Sequence, residues 1–463
     1  VKIKGLFILV TSLGLGISAP LLAQSSQVLT KQYDTGGVYT GTFKNGRQDG
    51  QGTYVLPNGY EYTGSWVSGQ IQGEGTAKFP NGSVYEGLFE AGKPQGLGKI
   101  TFADGGTYIG TWKDGKIDGV GLAHYANGEI YDGQFKNANH NGKGVLTSDN
   151  GYRYDGDWVD GKKTGKAKIK YPDGAVYEGD VVDGLRNGVG AVVLADGVSY
   201  EGDWVKGQIT GTGTLVLTNG DKYSGKMKDG RKDGQGTLSF ANGDIYKGNF
   251  KKGIRDGTGM LTRKGGYQYA GNWANGKLQG QGRISYPNGS KYDGVLKDNQ
   301  PNGKGKIVYA DGGSYKGDWV MGVIQGKGIA KYANGTIYEG TFDQARNNGQ
   351  GKIVYPEGYS YTGTWVNGIR EGKGIATFAD GSIYDGDFKG GKRDGIGTLS
   401  TKDGFTYEGA WVAGQMQGIG HATYANGDNY VGSFENGKRN GKGTMTFANG
   451  EIIDGTWKDG EAE

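Results

Sequence analysis

YEGLFEAGKPQGLGKITFADGGT, residues 85–107, decides the fold. Its Tyr opens a unit that returns without insertion: Tyr stands at 39, 62, 85 and every 23 residues to 430. Counting from that Tyr as position 0, Gly fills positions 2, 11 and 20 in every unit. Gly fills position 13 in all but one (Ala167) and position 7 in all but three (Ala138, Asn299, Ala345). A period of this length points to a repeat architecture, in which each copy buries its apolar face on its neighbours. The composition agrees. Gly is 97 of 463 residues, and apolar residues make up only 34%, too few for a thick core along the whole chain. Aromatics at 12% nevertheless argue for packed structure.

Each unit predicts two short strands. Positions −1 to 5 alternate, as in Val84-Tyr85-Glu86-Gly87-Leu88-Phe89, which puts Tyr, Gly and Phe on one face. Positions 12 to 17 alternate likewise. Asn-Gly or Asp-Gly at positions 19 and 20 predicts a type I′ hairpin turn, which needs φ > 0 at both central residues. Positions 6 to 11 predict a longer Gly-rich loop at the other end. The expected fold is all-β: an elongated single-layer antiparallel meander of stacked hairpins, a ribbon with local pairing only.

Gly inside strands at positions 2 and 13 leaves room for flanking aromatic rings to lie over the backbone. Position 4 is Trp at 66, 112, 158, 204, 273, 319, 365, 411 and 457, and elsewhere Phe or a smaller apolar residue. Position 15 is Ala only in Trp units, so the two positions are expected to share one volume across the hairpin. Non-Trp units adjoin at Tyr223 and Tyr246, where a bend or looser packing is expected.

Fragments such as GTWKDGKI (110–117) match most of a phosphate-binding loop. They recur throughout the chain, and none is followed by the Ser or Thr that would hold Mg²⁺. The match is a by-product of Gly at positions 2 and 7 with Lys at position 8, so no nucleotide binding is expected.

The signature Y-x-G-x-(W/F)-x-x-G-x-x-x-G-x-G in YEGLFEAGKPQGLG from Tyr85 and YTGTWVNGIREGKG from Tyr361 closely resembles the MORN repeat family (membrane occupation and recognition nexus). The resemblance covers nearly everything after residue 38. It implies a twisted ribbon of hairpins, scaffolding and protein–protein contact, and in some members binding to acidic phospholipids. It implies no catalytic domain within these residues. The organisation expected is a signal peptide over 1–23, a lead-in with a half repeat over 24–38, eighteen repeats over 39–452, and a truncated repeat over 453–463. The leader rests on Lys2 and Lys4, the apolar run Leu6 to Ile17, and a break at Pro20 before Ala23. Cleavage after Ala23 would give an exported protein, periplasmic or extracellular and associated with the cell envelope, whereas retention would leave an anchor. Without Cys there is no lipoprotein anchor, disulfide or thiolate metal site.

The three His residues (His124, His140, His421) fall in different units and are expected at the surface, without a metal or catalytic role. No carboxylate pair stands out as acid and base, so neither enzyme activity nor a cofactor is expected. A net charge of +4 is too balanced for nucleic-acid binding. The aromatics Tyr62, Trp66, Tyr108, Trp112, Tyr154, Trp158, Tyr200, Trp204, Tyr269, Trp273, Tyr315, Trp319, Tyr361, Trp365, Tyr407 and Trp411 are assigned to repeat packing. The candidate contact residues for a partner or membrane are Arg47, Lys93, Lys116, Lys162, Lys163, Arg231, Lys232, Lys392, Arg393, Lys438 and Arg439, placed in the Gly-loop edge. Two functions of different class follow. One is an envelope scaffold that contacts other proteins and an anionic phospholipid surface. The other is a glycan or cell-wall binder using the aromatic face. Homo-oligomerisation is compatible with either.

Overall fold

The computed structural model describes residues 27–463, so the expected leader over 1–23 lies outside the described residues. Those residues are all β, with 39 strands and no helix. They divide into two units, one ending at Gly188 and one running from Val189 to Glu463. In the first, the lead-in strand Val28–Gln32 pairs antiparallel with Val38–Lys44, and each strand then pairs with the next in sequence. The second unit follows the same rule, ending at the two-residue strand Glu461–Ala462. Each unit is therefore an open antiparallel meander one layer thick.

A typical hairpin pairs Val84–Glu90 with Lys93–Thr101. The second strand starts at position 8, four residues earlier than the alternation suggests, so the Gly-rich segment is strand and not loop. Its turn has only two residues, Ala91 (φ 46°) and Gly92 (φ 79°), both left-handed. This is the type I′ turn, and it lies at the end opposite to the one where Asn-Gly predicts it. At positions 18 to 20 the loop has three residues instead. The N–H of Gly82 donates to the Phe79 carbonyl (2.9 Å), and the N–H of Phe79 donates to the Ser83 carbonyl (2.8 Å). Gly82 has φ 88°, whereas Asn81 is not in the positive-φ region. Pro80 suits the first central position of a type I turn, and Gly supplies the left-handed residue that closes it as a bulge. Asn81 contributes its side chain, whose Oδ1 accepts the Ser83 N–H at 3.0 Å.

The core is one face of each sheet. Tyr85 is fully buried, with its ring lying across the pair Gly87–Gly98 and its hydroxyl donating to the Leu88 carbonyl (2.9 Å). A methyl on Gly98 would meet that hydroxyl at 2.2 Å, so the two glycines make the slot that the ring fills. Phe89 and Trp112 close on Tyr85 edge-on at 5.0 and 4.9 Å. The Trp leans back over the preceding repeat, and the Trp112 Nε1–H donates to the Gly98 carbonyl (3.4 Å). The register sets position 15 opposite Tyr at position 0 and position 4 opposite position 9, as in Tyr62↔Ala77 and Trp66↔Ile71. Positions 4 and 15 are therefore not paired across the hairpin. The expected looseness at Tyr223 and Tyr246 is not seen either: Met227 and Phe250 are each 4% exposed.

Burial pushes the phenols of Tyr62, Tyr85, Tyr246 and Tyr407 up to about 12. The unfolded chain releases these protons near pH ~10. The stability held in the neutral phenols is thus fully present below pH ~10 and is lost as pH rises toward the folded values. Tyrosinate absorbance and the far-UV sheet signal should change together in that window. Core tyrosines ionising near pH ~10 with the sheet intact would contradict this account of the burial.

Candidate functional site

The aromatic positions are spent on packing. The eight Tyr residues from Tyr62 to Tyr407 named above are at most 2% exposed, and Trp66, Trp112, Trp158, Trp204, Trp273, Trp319, Trp365 and Trp411 at most 8%. None of these rings is open to a ligand lying on the surface.

The basic residues separate into two sets, because the segment that carries them is strand. Successive strand residues point to opposite faces. Position 8, the first residue after the turn, is exposed at Arg47, Lys93, Lys116 and Lys162 in the first unit, and at Arg231, Lys392 and Lys438 in the second. Some of this charge is met locally, as in Lys162–Asp183 (3.3 Å) and Lys438–Asp459 (3.4 Å). Position 9 turns inward. Lys163 lies over the rings of Tyr152, Tyr154 and Trp158, and Lys232 over Tyr223 and Phe250. The Arg393 guanidinium sits 4.1 Å from the Trp411 ring, and that of Arg439 4.4 Å from Trp457. Both arginines also donate to the carbonyl of the next turn, Arg393 to Gly414 (2.8 Å) and Arg439 to Gly460. Burial lowers the pKa of Lys163, Lys232 and Arg393. Lys163, Lys232, Arg393 and Arg439 are therefore covers for the aromatic row, not loop residues available to a surface. The sequence signal was the parity of the position, which becomes meaningful only once the segment is known to be a strand.

Carboxylates at position 10 hold the adjoining turn. Asp49 accepts the Ser68 N–H (3.1 Å), and Asp233, Asp256 and Asp394 act likewise on Lys252, Asn275 and Ala413.

His140, expected at the surface, occupies position 9 on the core side. Its ring stacks on Tyr131 (3.6 Å between centroids) and shares a 2.6 Å hydrogen bond with the Tyr125 hydroxyl. Burial pushes its pKa down to about 4, so it stands neutral where other units place a cation. Among the described residues, no group of three His, Cys, Asp or Glu could hold a metal ion, and no helix is long and apolar enough to cross a membrane.

These features define a class: an open antiparallel meander of two-strand, 23-residue repeats with a Tyr-over-Gly-pair core. The family model for the MORN repeat matches eighteen consecutive segments, from 39–59 through 430–452. The chain belongs to the MORN repeat family, whose members are as a rule non-catalytic repeat scaffolds. No curated protein matches it. Among solved structures it is similar to the TCP domain of SAS-4 from Drosophila melanogaster in complex with a proline-rich motif, at 15% identity and TM-score 0.21, covering 43% of this chain and 90% of that one. It is also similar to the TCP10 domain of CPAP from Danio rerio bound to a STIL peptide (16% identity, TM-score 0.18, 59% of this chain and 98% of that one). A third is virginiamycin B lyase from Staphylococcus aureus (12% identity, TM-score 0.11, 65% of this chain and 88% of that one). Scores this low carry no argument about this chain.

Proposed function

We propose that the chain is a non-catalytic scaffold of the cell envelope that docks other proteins and touches anionic phospholipid through its exposed position-8 cations. The observation that carries the reading is the split of the basic residues. Arg47, Lys93, Lys116 and Lys162 in one unit, and Arg231, Lys392 and Lys438 in the other, are exposed at the same place in each repeat. Burial of the Tyr and Trp rows speaks against the glycan alternative, which needs those rings exposed. Export rests on the leader read in residues 1–23. The non-catalytic reading rests on the family, whose members are as a rule repeat scaffolds.

Each Lys or Arg near an anionic surface contributes only about 1 kcal/mol, so the cations must act together. The protein should sediment with phosphatidylglycerol vesicles at low salt and be released at moderate salt by screening. Lys93→Ala alone should be nearly silent. Replacing Arg47, Lys93, Lys116, Lys162, Arg231, Lys392 and Lys438, together with Lys277 and Arg346, the remaining exposed cations at position 8, by Gln should abolish sedimentation with the sheet signal intact. Replacing Lys163, Lys232, Arg393 and Arg439 instead should cost stability. Failure to sediment even at low salt would remove the lipid contact. A pull-down from envelope extracts that returns no specific protein would remove the scaffold.

A further inference from the structure

The sheet face opposite the aromatic core carries a trough in the second unit that none of the contacts above uses. It has a volume of about 760 Å³. Its floor is the backbone of paired glycines, Gly294–Gly305, Gly305–Gly317 and Gly317–Gly328. Its walls are the side chains of repeat positions 12 and 14 on one strand and 1 and 3 on the next. Four of them are lysines: Lys304, Lys306, Lys316 and Lys327.

The lysines are not what the fold asks for. Position 14 of one repeat faces position 1 of the next; where both residues are charged in other repeats the charges are opposite, Arg283–Asp293 at 2.9 Å and Lys168–Glu178 at 3.9 Å. Here Lys306 stands directly opposite Lys316. Like charges directly opposite each other on a sheet destabilise it. Lys304 is neutralised by Asp318 (2.6 Å), while Lys306 and Lys316 are exposed and have no ion pair among the described residues. The positive stretch is also short. Lys304 and Lys327 lie two strands apart, about 10 Å at the usual strand spacing. On the outer strand Asp293 stands directly opposite Lys306 but is held by Arg283 at 2.9 Å, and Glu339 stands at the other end.

We propose that this trough is a docking site for a short acidic segment of a partner protein, bound in extended conformation across the strands. Charge complementarity selects the occupant. On a segment in the extended polyproline-II conformation, carboxylates three residues apart point to the same side about 9 Å apart, so one can sit between Lys306 and Lys316 while the next reaches Lys327. A long uniform polyanion would run onto Glu339 and Asp293, whereas a peptide can place neutral or basic residues there. The bare glycine floor lets a backbone approach closely, and Ile329 with the lysine stems supplies apolar wall.

The site rests on the scaffold reading only in taking a protein segment as its occupant. The test is fluorescence anisotropy of the full chain with a labelled peptide of four Glu-Gly-Ser triplets, with a Gln-Gly-Ser peptide as control. Saturable, salt-sensitive binding of the acidic peptide alone is expected. The double change Lys306→Gln with Lys316→Gln should weaken it at least tenfold, and Lys327→Gln should weaken it several-fold. The first of these also relieves a repulsion, so the fold should be retained. Lys389→Gln with Lys458→Gln removes the same charge at exposed positions outside the trough and outside the position-8 set, and should change affinity less than twofold. Absence of saturable binding, or equal loss in both double variants, would overturn the site. So would tighter binding of polygalacturonate through the same lysines, which would make it a polyanion surface. If the envelope pull-down succeeds while the peptide titration fails, the scaffold stands and the trough does not.

Discussion

Gly87→Ala is expected to destabilise the hairpin Val84–Thr101 by about 3 kcal/mol or more, as overpacking does when the surroundings cannot yield. Gly87 does not need a left-handed backbone; it needs the absence of a side chain. A Cβ there would meet the Cα of Gly98 at 2.5 Å and the Leu97 carbonyl at 2.8 Å, both backbone atoms of the paired strand. It would also meet the Tyr85 hydroxyl at 2.6 Å. Relief requires parting the two strands or expelling the ring, and either exposes the Tyr85–Phe89–Trp112 contacts. The partner position is more forgiving, as the chain itself demonstrates at Ala167. There the register shift falls between Gly156 and Asp157, one residue earlier than in the typical hairpin. Tyr154 keeps its bond to the Asp157 carbonyl (2.8 Å) and adds one to the Thr164 carbonyl (3.2 Å). Gly98→Ala should therefore cost less than Gly87→Ala. Gly105→Ala is the control. It sits at φ 91° with nothing within 4 Å of an added Cβ, so only conformational strain of about 1–2 kcal/mol is expected. Amide hydrogen exchange across residues 84–101 reads the local loss, which suits a repeat array that need not unfold as one unit. Equal protection in Gly87→Ala and Gly105→Ala would refute the steric account.

The same glycines explain how much of the protein could be read from its sequence. The period, the strand at positions −1 to 5 and the Tyr-over-Gly packing were legible, because each is a local rule repeated without a break. The turns were exchanged. Asn-Gly draws the eye to a type I′ turn, but a preceding Pro, as at Pro57, Pro80 and Pro172, already favours a type I turn closed by Gly. The true type I′ turn carries Asn or Asp at its first central residue in most repeats, as in Asn45-Gly46, Asp114-Gly115, Asp160-Gly161 and Asn275-Gly276, and Ser68, Ala91, Lys206 or Met321 in others. The same dipeptide signal therefore stands at both ends of the hairpin and does not by itself choose between them. Ala138 and Ala345 hold φ 66° and 60° there without Gly, which shows the ladder setting the turn and not the reverse. Misplacing the turn hid the strand at positions 8 to 11, and with it the alternation that separates exposed Lys392 from inward Arg393. The trough was invisible for a related reason. Lys306 and Lys316 are ten residues apart in sequence and become neighbours only through the pairing register.

Trp411→Ala should cost about 3–5 kcal/mol, the range for emptying a buried aromatic site. Trp411 is 2% exposed, with Tyr384 and Tyr407 edge-on at 5.2 and 5.3 Å. Its indole N–H donates to the Gly397 carbonyl at 3.0 Å, and Arg393 covers its face. Truncation removes the filling between two repeats, orphans that carbonyl and leaves the guanidinium without its ring. Trp411→Phe separates these effects. Phe388 and Phe434 fill the same position in the flanking repeats at 4% exposure, so a phenyl ring fits this place in the fold. What Phe cannot supply is the hydrogen bond, worth about 1 kcal/mol net, and the stronger cation–π face of indole. A loss of about 1–2 kcal/mol is expected for Phe, well short of that for Ala. A double-mutant cycle of Arg393→Ala with Trp411→Ala should then return a coupling of about 1–2 kcal/mol, since the half-buried guanidinium lies between the exposed and desolvated ends of the range for such contacts. Hydrogen exchange over residues 384–423 measures all four species. A coupling near zero would mean that Arg393 is held by its bond to Gly414 alone, and the inward cations would then be turn locks with no part in covering the aromatic row.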